Sequence, residues 1–137
     1  MKPIEVFHSY ANAWNSYDAN RVVAAFTKDG IYCNPYTYPG IGGEALAEFM
    51  KATWTAFPDF RVEVLKAGEI EPGLVAHHWR VTGTNTGQGI DGSAPTGRSV
   101  SIKGASIIEV EGDKVASDHT YFDRAAFDEQ LQPKASE

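Results

Sequence analysis

What most constrains this chain is a change of hydrophobic period at Pro58. Before it, apolar residues recur at helical spacing; after it they alternate, as side chains do along a strand. Phe7, Tyr10, Ala11 and Trp14 stand at i, i+3, i+4 and i+7, which predicts an amphipathic helix over roughly residues 3 to 16, with Pro3 suited to its first turn. Asp18 can cap a second short helix that buries Val22, Val23 and Phe26. Asp29-Gly30 reads as a turn, and Ile31 to Asn34 as a short strand stopped by Pro35. A Pro- and Gly-rich loop follows from Tyr36 to Gly43, its Tyr36 and Tyr38 placed to act as a lid. A third helix then carries Leu46, Phe49, Met50, Trp54 and Phe57 along one stripe.

Beyond Pro58, Phe60, Val62 and Val64 alternate with Arg61, Glu63 and Leu65, and Gly68 to Gly73 reads as a turn. Val75, His77, Trp79 and Val81 then alternate with Ala76, His78, Arg80 and Thr82. After a loop from Gly83 to Gly97, a long strand runs from about Arg98 to Glu111, and Glu111-Gly112-Asp113 turns it into a final strand. A short helix, Arg124 to Leu131, follows. Helices first and long antiparallel strands afterwards predict an α+β fold: a curved antiparallel sheet whose concave side is closed by helices into a cone-shaped barrel. The mouth of such a cone is a usual place for a small apolar ligand. The 137 residues form one domain, 1–137, long enough to bury a core without disulfides or a metal.

Several function classes are excluded at this level. A net charge of −6 does not suit a nucleic-acid partner, which needs clustered Lys and Arg. No apolar run has the length of a membrane span, and no signal-peptide core follows Met1. The single cysteine, Cys33, suits a reducing cytoplasm and reads as a small buried hydrophobe on a strand. No Cys or His cluster has zinc spacing, no carboxylate cluster resembles a calcium loop, and Gly83 to Gly97 leads into a strand rather than a phosphate-binding helix. The expectation is a chain without metal or cofactor.

The chemistry concentrates in Asp118-His119-Thr120-Tyr121-Phe122-Asp123. Alternation splits this run: Asp118, Thr120 and Phe122 share one face, and His119, Tyr121 and Asp123 the other. A carboxylate in an apolar cone has its pKa raised towards that of a general base working near neutral pH. Asp118 could equally be a rim residue or a partner for Arg80 or Arg98. Asp123 stands where it can cap the last helix. His77 interrupts an apolar face and reads either as a satisfied core histidine or as a partner for Asp118 or Asn34. Tyr32 and Asn34 share a face, and Asn34 can donate to a carbonyl or enolate oxygen. Among the aromatic residues, Trp54 and Trp79 are the candidates for a pocket wall.

Five motifs carry a family resemblance: Tyr32-Cys33-Asn34-Pro35, Ala56-Phe57-Pro58-Asp59-Phe60-Arg61-Val62, Trp79-Arg80-Val81-Thr82-Gly83-Thr84, Pro95-Thr96-Gly97-Arg98-Ser99-Val100, and Tyr121-Phe122-Asp123 leading to Gln130-Leu131. In this order the chain resembles the SnoaL-like polyketide cyclases of the nuclear transport factor 2-like superfamily. The resemblance implies a cone-shaped α+β barrel, a homodimer through the sheet and no metal or organic cofactor. It also implies an Asp on the last strand that takes a proton from a carbon next to carbonyls. Counted back from Gln130-Leu131, Asp118 and Thr120 stand where the cyclases have His and Asp; a one-residue gap puts His119 and Tyr121 there instead. Ser106 stands where they carry a further His.

The sequence-level expectation is cofactor-free proton abstraction next to a carbonyl, leading to cyclisation or isomerisation of a small apolar polyketide- or steroid-like substrate. Asp118 would be the base, with His77 assisting, and Tyr32, Asn34, Trp54, Trp79, Thr120 and Phe122 would bind substrate. The alternatives are a non-catalytic ligand-binding domain and a dimeric interaction module whose cone is filled by its own aromatic residues.

Overall fold

The structure, a computed structural model, describes residues 1–132; the last five residues of the single-domain reading lie outside them. Helices α1 (Pro3–Ala13) and α2 (Ala19–Ala24) lead into strand β1 (Phe26–Cys33) and helix α3 (Gly43–Ala56). Strands β2 (Arg61–Glu71), β3 (Leu74–Thr84), β4 (Ser99–Glu111) and β5 (Lys114–Tyr121) follow, and helix α4 (Arg124–Leu131) is the last element among the described residues. The fold is α+β, with one curved five-stranded sheet in the order β1-β5-β4-β3-β2. Asp18 caps α2 by accepting from the backbone N–H of Asn20 and Arg21, and Asp123 caps α4 by accepting from that of Ala126.

The alternating strands turn one face to the helices. Phe7 of α1 and Leu46 and Met50 of α3 are wholly buried with Val75, Ile108 and Val115 of the sheet, each such side chain adding roughly 1.5–3 kcal/mol. Strand register orders the inward face into rows. Val75, Ile108, Asp118 and Tyr32 form the first; His77, Ser106 and Thr120 the second; Trp79 and Gly104 the third, which Phe122 continues just past β5. Val81 and Ile102 form a fourth, nearer the mouth.

Four local expectations change. The sheet is mixed, because β1 pairs parallel to β5; the two are far apart in sequence, so no hairpin sets their relative direction. Asp29-Gly30 is not a turn between elements but part of an irregularity within β1, where the five steps from Phe26 to Ile31 face two steps of β5. Strand β2 continues through Gly68, which pairs with Ala76, so the turn narrows to Pro72-Gly73, with Gly73 at φ 79°. Helix α1 stops at Ala13 rather than residue 16, and the chain turns at Tyr17, whose hydroxyl donates to the Phe60 carbonyl at 2.5 Å.

Candidate active site

Between the helices and the sheet lies a cavity of about 740 Å3, within the range of small-molecule sites. The cone is therefore not filled by its own aromatic residues. Asp118, Thr120 and Phe122 line it, whereas His119 is only half-buried and Tyr121 is exposed on the other face. Tyr32, Asn34, His77 and Trp79 also line the wall. Trp54 does not: its position on the α3 stripe turns it towards Tyr17, with ring centroids 5.5 Å apart, and Phe57 reaches the cavity instead.

Asp118 is 3% exposed and sits deep in the cone. Tyr10 donates to its Oδ2 at 2.5 Å, and Thr120 donates to its Oδ1 at 2.8 Å. Neither arginine considered as a partner reaches it: Arg80 pairs with Glu63 at 3.2 Å, and Arg98 donates to the Gln132 carbonyl. Burial pushes the Asp118 carboxyl up to about 6, against the opposing pull of the two hydroxyl donors and His119. The group thus ionises just below neutral pH while remaining more basic than an ordinary carboxylate.

The second row sets the direction of these bonds. Trp79 Nε1 can only donate, and it does so to Ser106 Oγ at 2.9 Å. Thr120 spends its one proton on Asp118. The Ser106–Thr120 bond, 2.7 Å, must then run from Ser106 to Thr120. A chain of donors starting at the indole therefore ends on the carboxylate. Gly104 makes it possible, because a Cβ there would lie 2.3 Å from a Trp79 ring carbon.

A second polar device stands beside Asp118. Asn34 Oδ1 accepts from the backbone N–H of Tyr36 and Thr37, at 2.8 and 3.0 Å. This fixes the amide so that Nδ2 donates to the Tyr32 hydroxyl at 3.0 Å. Tyr32 receives that bond, and its own proton has no acceptor in the hydrogen bonds of the described residues. Burial, with the Asp118 charge adding to it, raises the Tyr32 pKa well above the ordinary phenol value. Tyr32 is therefore a neutral donor at any working pH. Tyr10 is raised in the same way and for the same two causes, burial first.

His77 makes no hydrogen bond to Asp118 or Asn34, because it lies on β3, two strands away from Thr120. Its ring meets Phe7 edge-on at 4.6 Å, and its Nε2 is buried without a partner. Burial, then the neighbouring His8 and His78, lowers its pKa to about 4, so it is neutral. At the mouth, Tyr36 lines the cavity and its hydroxyl donates to Asp128, while the Arg124 guanidinium lies 4.2 Å over its ring; Tyr38 is exposed. Phe127 of α4 completes that rim.

Tyr10 is the functional side chain that periodicity missed, since it sits on the same helical stripe as Phe7 and Trp14 and nothing in the spacing marks its hydroxyl. Gly104 carried no signal either. Among the described residues, no three His, Cys, Asp or Glu side chains gather as a metal site, and no helix is long and apolar enough to cross a membrane.

A family model described as SnoaL-like polyketide cyclase matches residues 4–131. No curated protein matches the sequence. Among solved structures, AclR of Streptomyces galilaeus superposes with a TM-score of 0.80 at 21% identity, over 98% of this chain and 85% of that one. A protein of ketosteroid isomerase-like fold from Catenulispora acidiphila, solved with trimethylamine, gives 0.79 at 19% identity, covering 96% and 94% of the two chains. An LEH-like epoxide hydrolase of M. tuberculosis gives 0.71 at 19%, covering 94% and 88%. At these identities the likeness is one of fold.

Proposed function

The chain belongs to the SnoaL-like polyketide cyclase family, and from that premise and the geometry of the cavity we propose that it abstracts a proton from a carbon next to a carbonyl, without a cofactor. The observation that carries this is the pairing, in one row of the sheet, of a buried carboxylate that ionises near 6 with a buried phenol that stays neutral. Asp118, held by Tyr10 and Thr120, takes the proton. The C–H electron pair moves into the carbonyl, and the developing charge on oxygen meets the free Tyr32 proton, which Asn34 orients. Returning the proton at another carbon isomerises the substrate. Attack of the enolate carbon on a second carbonyl of the same molecule closes a ring, and Asp118 gives its proton to the new alkoxide. Trp79, Phe122 and Phe57 supply an apolar wall that suits a polyketide- or steroid-like frame.

Hydrolysis of an epoxide fits less well. An Asp-Arg-Asp set around one water is absent among the described residues, since Asp118 is held by hydroxyls and Arg80 is engaged with Glu63. Binding without turnover is the second reading, favoured by the fact that each Asp118 oxygen already accepts a hydrogen bond. We further infer a homodimer through the outer sheet face, where Ala76, Ala105 and Ile107 lie among His78, His119 and exposed Tyr121; sedimentation tests it.

Exchange of the acidic protons of 2-tetralone in D2O, followed by NMR, separates the two readings. The wild-type protein is expected to speed exchange, and Asp118→Asn to lose the acceleration. An Asp118→Asn protein as fast as the wild type overturns the assignment. Binding of 2-tetralone without accelerated exchange leaves the non-catalytic reading.

A further inference from the structure

The polar row across the sheet is complete at one end only. Ser106 accepts from Trp79 and has its one proton committed to Thr120, so it has no proton to offer its other neighbour in the row, His77, and no hydrogen bond joins the two. His77 is 7% exposed and lines the cavity. Its Nε2 is enclosed without a partner, while its Nδ1, also in no hydrogen bond among the described residues, is not enclosed and is the ring nitrogen that a molecule in the cavity can reach. A buried imidazole left in this state costs stability that a leucine of similar size would not. The other unpartnered buried atom, Trp54 Nε1, belongs to a residue that does not line the cavity.

We propose that His77 is a second ligand-recognition point, and that the cavity takes an apolar molecule with two neutral oxygen functions: a carbonyl at Asp118, Tyr32 and Asn34, and a hydroxyl or second carbonyl at His77. This rests on reading the cavity as a ligand site, and it adds the substrate class to that reading. Two strand spacings separate the His77 and Thr120 backbones, roughly 10 Å, and the side chains converge from there into the cone. Two fused rings bridge such a gap, and the cavity volume of about 740 Å3 accommodates them. Between the two ends, Trp79 leans over Gly104 and offers an indole face rather than a polar group. The ligand is therefore polar at its ends and apolar in its middle. The ring is neutral at working pH, with one donor and one acceptor, which matches a hydroxyl or a carbonyl better than a carboxylate.

The test compares binding of 2-naphthol and 2,6-dihydroxynaphthalene by fluorescence titration to wild-type, His77→Gln, His77→Leu and Asp118→Asn proteins. The wild type is expected to prefer the diol by about tenfold, beyond the twofold that a symmetric diol gains statistically. His77→Leu should bring the preference down to about twofold, while His77→Gln, which keeps a donor and an acceptor, should retain part of it. In histidine-labelled protein, the 15N resonances of His77 should move with the diol. A twofold preference in the wild type, a full preference in His77→Leu, or no binding of either probe at millimolar concentration each overturns the proposal. The preference is read without turnover. A failure of Asp118 as a base would therefore appear in tetralone exchange with the diol preference intact, and a failure of His77 would appear the other way round.

Discussion

Asp118 and His77 stand in adjacent rows of one sheet, both buried and both lining the same cavity, yet the protein treats them differently. Desolvation drives each towards its neutral form, which raises the pKa of the acid to about 6 and lowers that of the base to about 4. Around Asp118 the chain has placed two hydroxyl donors, so its charge is accessible at neutral pH. Around His77 it has placed Phe7 and an already committed serine. One site is built to carry charge, and the other to stay neutral and wait for a partner. A titratable residue facing a cavity is thus not by itself a catalytic one; its hydrogen-bond partners decide.

The largest expected contrast is in turnover. Asp118→Asn should lower the tetralone exchange rate by about a thousandfold, within the usual range for removing a general base, whereas His77→Gln should cost at most about tenfold. Equal losses in the two variants would erase the distinction between the two residues.

Stability against pH breaks the comparison in a second way. Asp118 has a folded pKa above its ordinary 3.8, so its contribution is greatest below that value, falls as pH rises to about 6 and is flat beyond. The whole change is roughly 3 kcal/mol. His77 has a folded pKa below its ordinary 6.5, so its contribution is full above that value and falls as pH drops towards 4. Between pH 4 and 6 the two slopes oppose each other, each about 1.4 kcal/mol per pH unit. Urea unfolding relative to the wild type should show Asp118→Asn gaining stability as pH rises through this window and His77→Gln losing it. Parallel curves would mean that at least one of the two groups is not held neutral by burial.

Tyr10→Phe sharpens the contrast by making Asp118 more like His77. Loss of a donor to a charged acceptor is worth about 1.5–3 kcal/mol, so the acid limb of the exchange-rate profile should move up from near 6 by about one to two pH units. A limb that stays in place would show that the Tyr10 hydroxyl does not hold the charged form.

The fold was legible because hydrophobic period is a property of long segments: the change at Pro58 separates helices from sheet, and Asp18 and Asp123 act as the caps their positions suggest. Alternation also sorted Asp118 from His119 once the strand was placed. What alternation does not contain is the distance between strands. The Tyr10–Asp118 bond spans 108 residues of sequence, and Phe57 reaches the cavity because the backbone leaves the helix after Ala56, whereas Trp54 stays on the helix and turns away. Gly104 shows the same limit, since its role depends on an indole arriving from the neighbouring strand. Gly104→Ala should cost about 1–3 kcal/mol through crowding of Trp79 and of the Tyr121 carbonyl, measured as a lowered urea midpoint.

The smallest effect tests the direction of the donor chain. Ser106→Ala removes the donor to Thr120 and the acceptor of the Trp79 indole, but leaves the Thr120–Asp118 bond in place. Thr120 then loses the partner that fixes its rotor, and Asp118 loses only the polarisation that the chain adds. Exchange should slow about threefold, with the acid limb raised by a few tenths of a pH unit, in keeping with one neutral hydrogen bond. Ser106→Thr keeps the hydroxyl and should restore most of the rate. If Ser106→Ala instead matched Asp118→Asn, the chain would be moving protons rather than orienting them, and Ser106 would join Asp118 in the proton-transfer machinery.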